Sequence, residues 1–159
     1  MSEHDTAATT AARAAGLSFH VMRTERPSSA EESASLQGIE LGQLLRTIVV
    51  RRGADDYVFV LVPGGRRIDW PKLRAHLGTR RLALPDAEEA KDATGYERGT
   101  ITPFGSSHAW PVIADASLGR SGDRVAIGGG AHGVNMHMAA ADLLRATDAD
   151  VADVTEPEP

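Results

Sequence analysis

Two apolar runs close together in the chain decide most of what it can fold into. Residues 44–51 read LLRTIVVR and residues 57–63 read YVFVLVP. β-Branched and aromatic residues crowd both, which is strand composition. A short turn around Ala54, Asp55 and Asp56 is all that separates them, whereas a parallel crossover takes a dozen residues or more. The pair therefore reads as an antiparallel hairpin, and a regular doubly wound parallel sheet fits poorly. One residue breaks the pattern. Arg46 sits inside the first apolar run, where an arginine is costly to bury without a partner.

The rest of the chain interleaves short strands and helices. Residues 17–22 (LSFHVM) alternate like an early strand, and Ser29 with Glu32 resembles a capping box for a helix ended by Gly38. Asp69, Pro71 and Gly78 frame a second helix, and a third starts near Pro85 or Asp86. Residues 111–115, 124–128 and 134–138 read as short strands, followed by a last helix and a final strand in VADVT. The expected fold class is α/β (α+β), a curved mixed sheet or partial barrel with helices packed around it. Residues 1–14 are expected to be disordered, frayed or weakly helical, 15–155 to form a single domain, and 156–159 to be a tail.

Composition removes several kinds of chemistry. There is no cysteine, so disulfides, thiol nucleophiles and Cys-ligated zinc are excluded. The six histidines show no strong metal spacing, and the expectation is no metal and no cofactor. No apolar run approaches a membrane span and the N-terminus does not read as a signal peptide, so a cytoplasmic protein without membrane contact is expected. The net charge of −5 conceals an asymmetry. Residues 41–81 carry nine basic against three acidic side chains, between flanks that are both acidic. A basic centre of this kind suits a polyanion such as nucleic acid, although an Arg-rich soluble surface reads the same way.

Three motifs remain. GGGAHG contains G-x-G-x-x-G as Gly128, Gly130 and Gly133, but the residues that follow alternate like a strand and do not open a helix. A dinucleotide site is therefore not expected; the glycines form either a hairpin turn or a loop whose amides approach a ligand. Ser106, Ser107 and His108 lack a G-x-S-x-G elbow, which argues against a serine hydrolase. GYERGTITPFG, residues 95–105, combines three glycines, a tyrosine and Pro-Phe, and a long loop in a compact domain is disproportionately functional.

With residues 94–105, TGYERGTITPFG, the chain resembles the YbaK/prolyl-tRNA editing domain family, which includes free-standing aminoacyl-tRNA deacylases. The loop matches that family's T-G-Y/C-x-x-G-x-x-x-P-x-G signature. LSFHV, LLRTIVVR, PGGRRIDWPKL, PVIAD and GGAHGVNMHMAAADLLRATDADVADV resemble its other segments in order, from about residue 16 to 155.

The resemblance implies a trans-editing hydrolase that cleaves the ester of a mischarged tRNA at its acceptor end, with an aminoacyl-tRNA synthetase as a further partner. Arg46 stands where the family carries its functional lysine and is implied to be the catalytic cation. The implied substrate-binding residues are Thr24, Gly99, Ile101, Thr102, Pro103, Phe104, Gly105, Asp115, Gly130, His132 and Gly133. Thr24 lies near where some relatives carry a tyrosine. Because arginine does not give up its proton near neutral pH, the alternative is a catalytically silent module of the same fold that binds tRNA or a synthetase. The three stretches around Arg46, 99–105 and 130–133 are expected to converge on one pocket.

Overall fold

The computed structural model describes residues 5–159; the first four, part of the segment expected to fray, lie outside the described residues. The hairpin is the centre of the molecule. β2 (Leu45–Gly53) and β3 (Asp56–Pro63) pair antiparallel, from Leu45 opposite Pro63 to Arg51 opposite Tyr57, with a bulge before the turn. On its other edge β3 pairs parallel with β5 (Val112–Asp115), which pairs parallel with β8 (Asp150–Ala152).

β3 is buried on both faces. Val58, Val60 and Val62 pack with Ile68, Leu73, Ile113 and Val154, beneath α3 (Trp70–Leu77). Tyr57, Phe59 and Leu61 face the other way into a larger core with Leu45, Val49, Ile127, Met136, Met138 and Leu143. With so few aromatics in the chain, these aliphatic side chains supply most of the burial, each contributing about 1.5–3 kcal/mol.

A second sheet closes over the larger core. β1 (His20–Arg23), β7 (Val134–Ala139) and β6 (Arg124–Gly128) form an antiparallel sheet in the order β1-β7-β6. One parallel bridge, Leu44 with Ala126, joins it to the edge of β2. The sheets are thus mixed and curved, as expected, but the strands divide into two groups instead of one continuous ladder. Strand twist carries β2 and β6 apart after a single pair. A two-stranded ribbon of β4 (Arg66–Ile68) and β9 (Thr155–Pro157) completes the strands, so the VADVT segment is broken between β8 and β9.

The helices follow their sequence signals. α2 (Ala30–Gln37) is capped by Ser29 Oγ, which accepts from Glu32 N at 3.0 Å, and ends on Gly38 at φ +69°. Asp69 caps α3, Asp86 caps α4 (Ala87–Thr94), and α5 (Ala140–Ala146) leads into β8. Both ends differ from expectation: residues 156 and 157, expected as a tail, pair within β9. At the N-terminus, residues expected to be frayed or at most weakly helical form a capped and packed helix, α1 (Ala7–Ala14), with Thr6 as a cap accepting from Thr9 N at 3.0 Å and with Ala8 and Ala12 fully buried. Small alanines allow this helix to approach neighbouring backbone closely, and that contact stabilises what its length alone does not.

Phe59 joins β3 to the larger core, so Phe59→Ala is expected to cost about 3–5 kcal/mol of stability. Urea unfolding followed by circular dichroism measures it; a loss below 1 kcal/mol contradicts this description of the core.

Candidate functional site

A cavity of about 590 Å³ opens between the start of β7, the loop after β1 and the loop after α4. Its walls include Thr24, Arg26, Ser33, Arg98, Gly99, Thr100, His132, Gly133 and Asn135. The backbone geometry of two loops makes it.

In the first loop, α4 ends on Gly95 at φ +82°, and Tyr96 turns inward. The Tyr96 hydroxyl donates to Phe104 O at 2.5 Å across the base of the loop. The Thr94 hydroxyl accepts from Tyr96 N at 3.1 Å, and Thr100 Oγ1 donates to Glu97 O at 2.7 Å. Burial pushes the Tyr96 phenol up to about 12, so it remains a neutral donor. Gly99, at φ +89°, presents its bare Cα to His132: a methyl group there would lie 3.4 Å from the imidazole Cε1.

In the second loop, Gly133 at φ +76° accepts from Thr24 N at 2.9 Å through its carbonyl, and a side chain at Gly133 would strike Thr24 O at 2.5 Å. Asn135 fixes the same corner by donating from Nδ2 to Met22 O at 3.2 Å. The backbone N–H groups of Ala131, His132 and Gly133 have no acceptor among the described residues. Successive unpaired amides of this kind hold an anion or a developing oxyanion.

α1 locks the two loops together from behind. The Thr6 hydroxyl donates to Gly129 O at 2.6 Å. A methyl at Gly105 would lie 2.5 Å from Ala7 O, and one at Gly130 would lie 3.0 Å from Ala8 Cβ.

Four of the residues implied by the resemblance line the cavity: Thr24, Gly99, His132 and Gly133. Gly105 and Gly130 stand behind its wall, as close-approach positions for α1. Phe104 is buried in the larger core, with Ile101 packed against the same cluster. Thr102 is fully buried, with a hydroxyl that has no partner among the described residues, and Pro103 follows it outside the lining.

Asp115 lies at the β5–β8 corner, 1% exposed. Burial pushes its carboxyl up, but hydrogen bonds from the Ser117 hydroxyl and N–H, from Val154 N at 3.1 Å and from Thr155 outweigh that, and the net shift is down. It anchors the last strands.

Arg46 is not brought to the cavity either. It shares a face of β2 with Ile48 and Val50, opposite to the face of Leu45 and Val49. Its guanidinium donates to Arg66 O at 2.8 Å and meets the Glu158 carboxylate at 3.5 Å. The expected three-way convergence is therefore a two-loop convergence, because strand alternation turns Arg46 outward toward β4 and the end of the chain.

Sequence reasoning missed Arg26, Ser33, Arg98, Thr100 and Asn135. Arg26 and Arg98 were hidden by counting charge in segments, since both lie in the acidic flanks. Neither has an ion-pair partner among the described residues. No group of three or more potential metal ligands occurs among the described residues, and no described helix is long and apolar enough to cross a membrane.

The family model for an aminoacyl-tRNA editing domain matches residues 24–146, spanning both loops and every strand from β2 to β7. The chain belongs to the aminoacyl-tRNA editing domain family. This editing domain is 26% identical over 130 residues to EbsC of Enterococcus faecalis, which carries the name of a candidate Cys-tRNA(Pro)/Cys-tRNA(Cys) deacylase; the match covers 82% of the chain and 79% of EbsC. It is 31% identical over 98 residues to the proline–tRNA ligase of Thermosipho melanesiensis, covering 62% of the chain and only 17% of the ligase. Among solved structures it is similar to one described as a candidate trans-editing enzyme for prolyl-tRNA synthetase, with a TM-score of 0.84, 27% identity, and coverage of 98% and 99% of the two chains.

Tyr96 is the tie within the editing domain's first loop. Tyr96→Phe is expected to cost about 1–3 kcal/mol by leaving the Phe104 carbonyl unpaired. Because the folded-state pKa is raised, the Tyr96 contribution is fully present below the unfolded value near pH 10 and is lost as pH rises toward 12. Urea unfolding at pH 8 and pH 11 tests both statements: Tyr96→Phe should lose less stability than wild type between the two.

Proposed function

We propose that the chain is a trans-acting aminoacyl-tRNA deacylase, which hydrolyses the ester of a mischarged tRNA at its acceptor end in the cytoplasm, where tRNA is charged. The observation that carries this reading is the row of unpaired amides at Ala131, His132 and Gly133, in residues that line one cavity together with Gly99, in a chain of the editing family. An aminoacyl ester is already activated, so hydrolysis needs little more than a positioned carbonyl, a stabilised oxyanion and a water. Water adds to the carbonyl carbon, the bond to the ribose oxygen breaks, and that oxygen leaves with a proton. Free amino acid and uncharged tRNA result. The 131–133 amides are suited to the oxyanion, and His132 against Gly99 narrows the space beside it.

The positive charge is assigned to Arg26 and Arg98, which stand free on opposite loops of the cavity and suit the phosphates of the single-stranded 3′ end. Arg46 is assigned to holding β4 and the last residues through Arg66 O and Glu158. The basic segment 41–81 offers further charge to the acceptor stem, although Arg51, Arg52, Arg67 and Lys72 already pair with acidic neighbours.

Single-turnover deacylation of alanyl- and cysteinyl-tRNA tests the assignment. Arg26→Ala and Arg98→Ala should each weaken tRNA binding and reduce the salt slope of log K by about 0.7, with the rate at saturation changed only a few-fold. Arg46→Ala should leave both within a few-fold. A loss of about 10²–10³ in rate at Arg46→Ala would instead make it the catalytic cation. Absence of hydrolysis on every mischarged tRNA would leave a binding module.

A further inference from the structure

A half-buried polar chain, with Gln37 buried at its centre, runs from the cavity into the second sheet, and the deacylase reading does not use it. β7 alternates: Val134, Met136 and Met138 enter the core, while Asn135 and His137 face α2. Asn135 lines the cavity, and His137 lies two residues further along the same face. Gln37, the last residue of α2, fills the gap above it and is 4% exposed. Gln37 Oε1 lies 2.8 Å from His137 Nε2, and Gln37 Nε2 donates to Ser33 Oγ at 3.0 Å, one helical turn back. Ser33 in turn lines the cavity opposite Asn135 and Thr24.

The hydrogen count along this chain is directional. A side-chain amide offers hydrogen only from nitrogen and accepts only at oxygen. With its oxygen toward His137, Gln37 takes the Nε2 hydrogen of the imidazole and gives its own to Ser33. Ser33 is then an acceptor on the helix side, and its hydroxyl hydrogen has no acceptor among the described residues. The reversed amide would do the opposite: Ser33 would spend its hydrogen on Gln37 and show the cavity lone pairs only. Which way Gln37 points follows the tautomer of His137, and it decides what Ser33 offers.

We infer that Ser33 presents its hydroxyl hydrogen to an acceptor oxygen of the bound aminoacyl-ribose, and that Gln37 and His137 are positioning residues that hold it in this donor state. The inference rests on the deacylase reading for its substrate. The surroundings of His137 fit the role. Burial, His20 on the paired strand β1 and Arg124 on β6 all hold its imidazole below the ordinary histidine range, so at neutral pH it is uncharged and carries one hydrogen. His20 meets it edge-on at 6.4 Å between ring centroids, and Arg124 donates to its backbone carbonyl at 3.5 Å. α2 contributes the neutral Gln37 to that face.

Gln37→Glu separates this arrangement from mere packing. A carboxylate of nearly the same shape only accepts, so it captures the Ser33 hydrogen and keeps the His137 contact. Gln37→Glu and Ser33→Ala should each lower kcat for alanyl- or cysteinyl-tRNA by about tenfold, as expected for one lost hydrogen bond, with KM within about twofold. The double variant should be no slower than Ser33→Ala alone, and Ser33→Thr should retain most of the rate. Losses that multiply in the double variant, or an unchanged Gln37→Glu, would overturn the inference.

If wild type hydrolyses no mischarged tRNA, the deacylase reading fails and the donor state is read without turnover. Binding of 3′-deoxy-3′-alanylamido-adenosine should then weaken in the same non-additive way. In either case, ¹⁵N NMR of wild type at pH 8 should find His137 as the Nε2–H tautomer, and the Nδ1–H tautomer would contradict the proposal.

Discussion

Everything that shapes the cavity depends on the Tyr96 hydroxyl and the carbonyl of Phe104. That bond folds residues 96–104 back on themselves at 2.5 Å and leaves Gly99 at the exposed apex. The tyrosine ring also sets the second loop, because any side chain at Gly130 would come within 3.1 Å of its Cε1. α1 then seals the pair, with Thr6 on Gly129 O and Ala7 O against Gly105. Buried polar groups that are fully paired make rigid scaffolds, and half-paired ones are costly. The 131–133 amides remain unpaired at the surface of that scaffold, where water or a substrate satisfies them.

Charge is divided by the sheet. On the α3 side, the arginines and lysine of β4 and its surroundings are met by Glu156, Glu158, Asp153 and the Thr155 oxygens. Most of the cations on that face have an acidic or carbonyl partner. At the cavity, Arg26 and Arg98 have no such partners among the described residues. Exposed pairs of this kind contribute little to stability, but unpaired cations at a concave site attract a polyanion strongly. Overall acidity and a cationic mouth are thus compatible in one small chain.

Much of the fold was legible from pattern. β2 and β3 announced themselves by β-branched runs and a short turn, and Ser29, Asp69, Asp86, Gly38 and Gly78 marked helix ends by capping chemistry that is local in sequence. The site was legible only in part. Glycines flagged both loops because positive φ and close approach restrict the residue type. Arg46 drew attention as a charge in a strand, yet period-2 alternation had already placed it on the face opposite Leu45 and Val49, away from the larger core. α1 was legible only as a frayed or weakly helical end because Ala and Thr carry little apolar signal; what holds that helix is contact with distant loops, as in the Thr6–Gly129 bond, 123 residues apart. Ser33, Gln37 and His137 are ordinary residues until α2 is laid over β7.

The central claim is that the aminoacyl end sits between the Gly99 turn and the 131–133 amides, not along β2 at Arg46. A crystal structure with 3′-deoxy-3′-alanylamido-adenosine tests it most directly. The account predicts the amide carbonyl of the analogue within hydrogen-bond distance of the N–H groups of Ala131 to Gly133, with Gly99 and His132 against its amino-acid end. Density for the analogue beside Arg46 and Arg66, with Glu158 displaced and the cavity unoccupied, would contradict it.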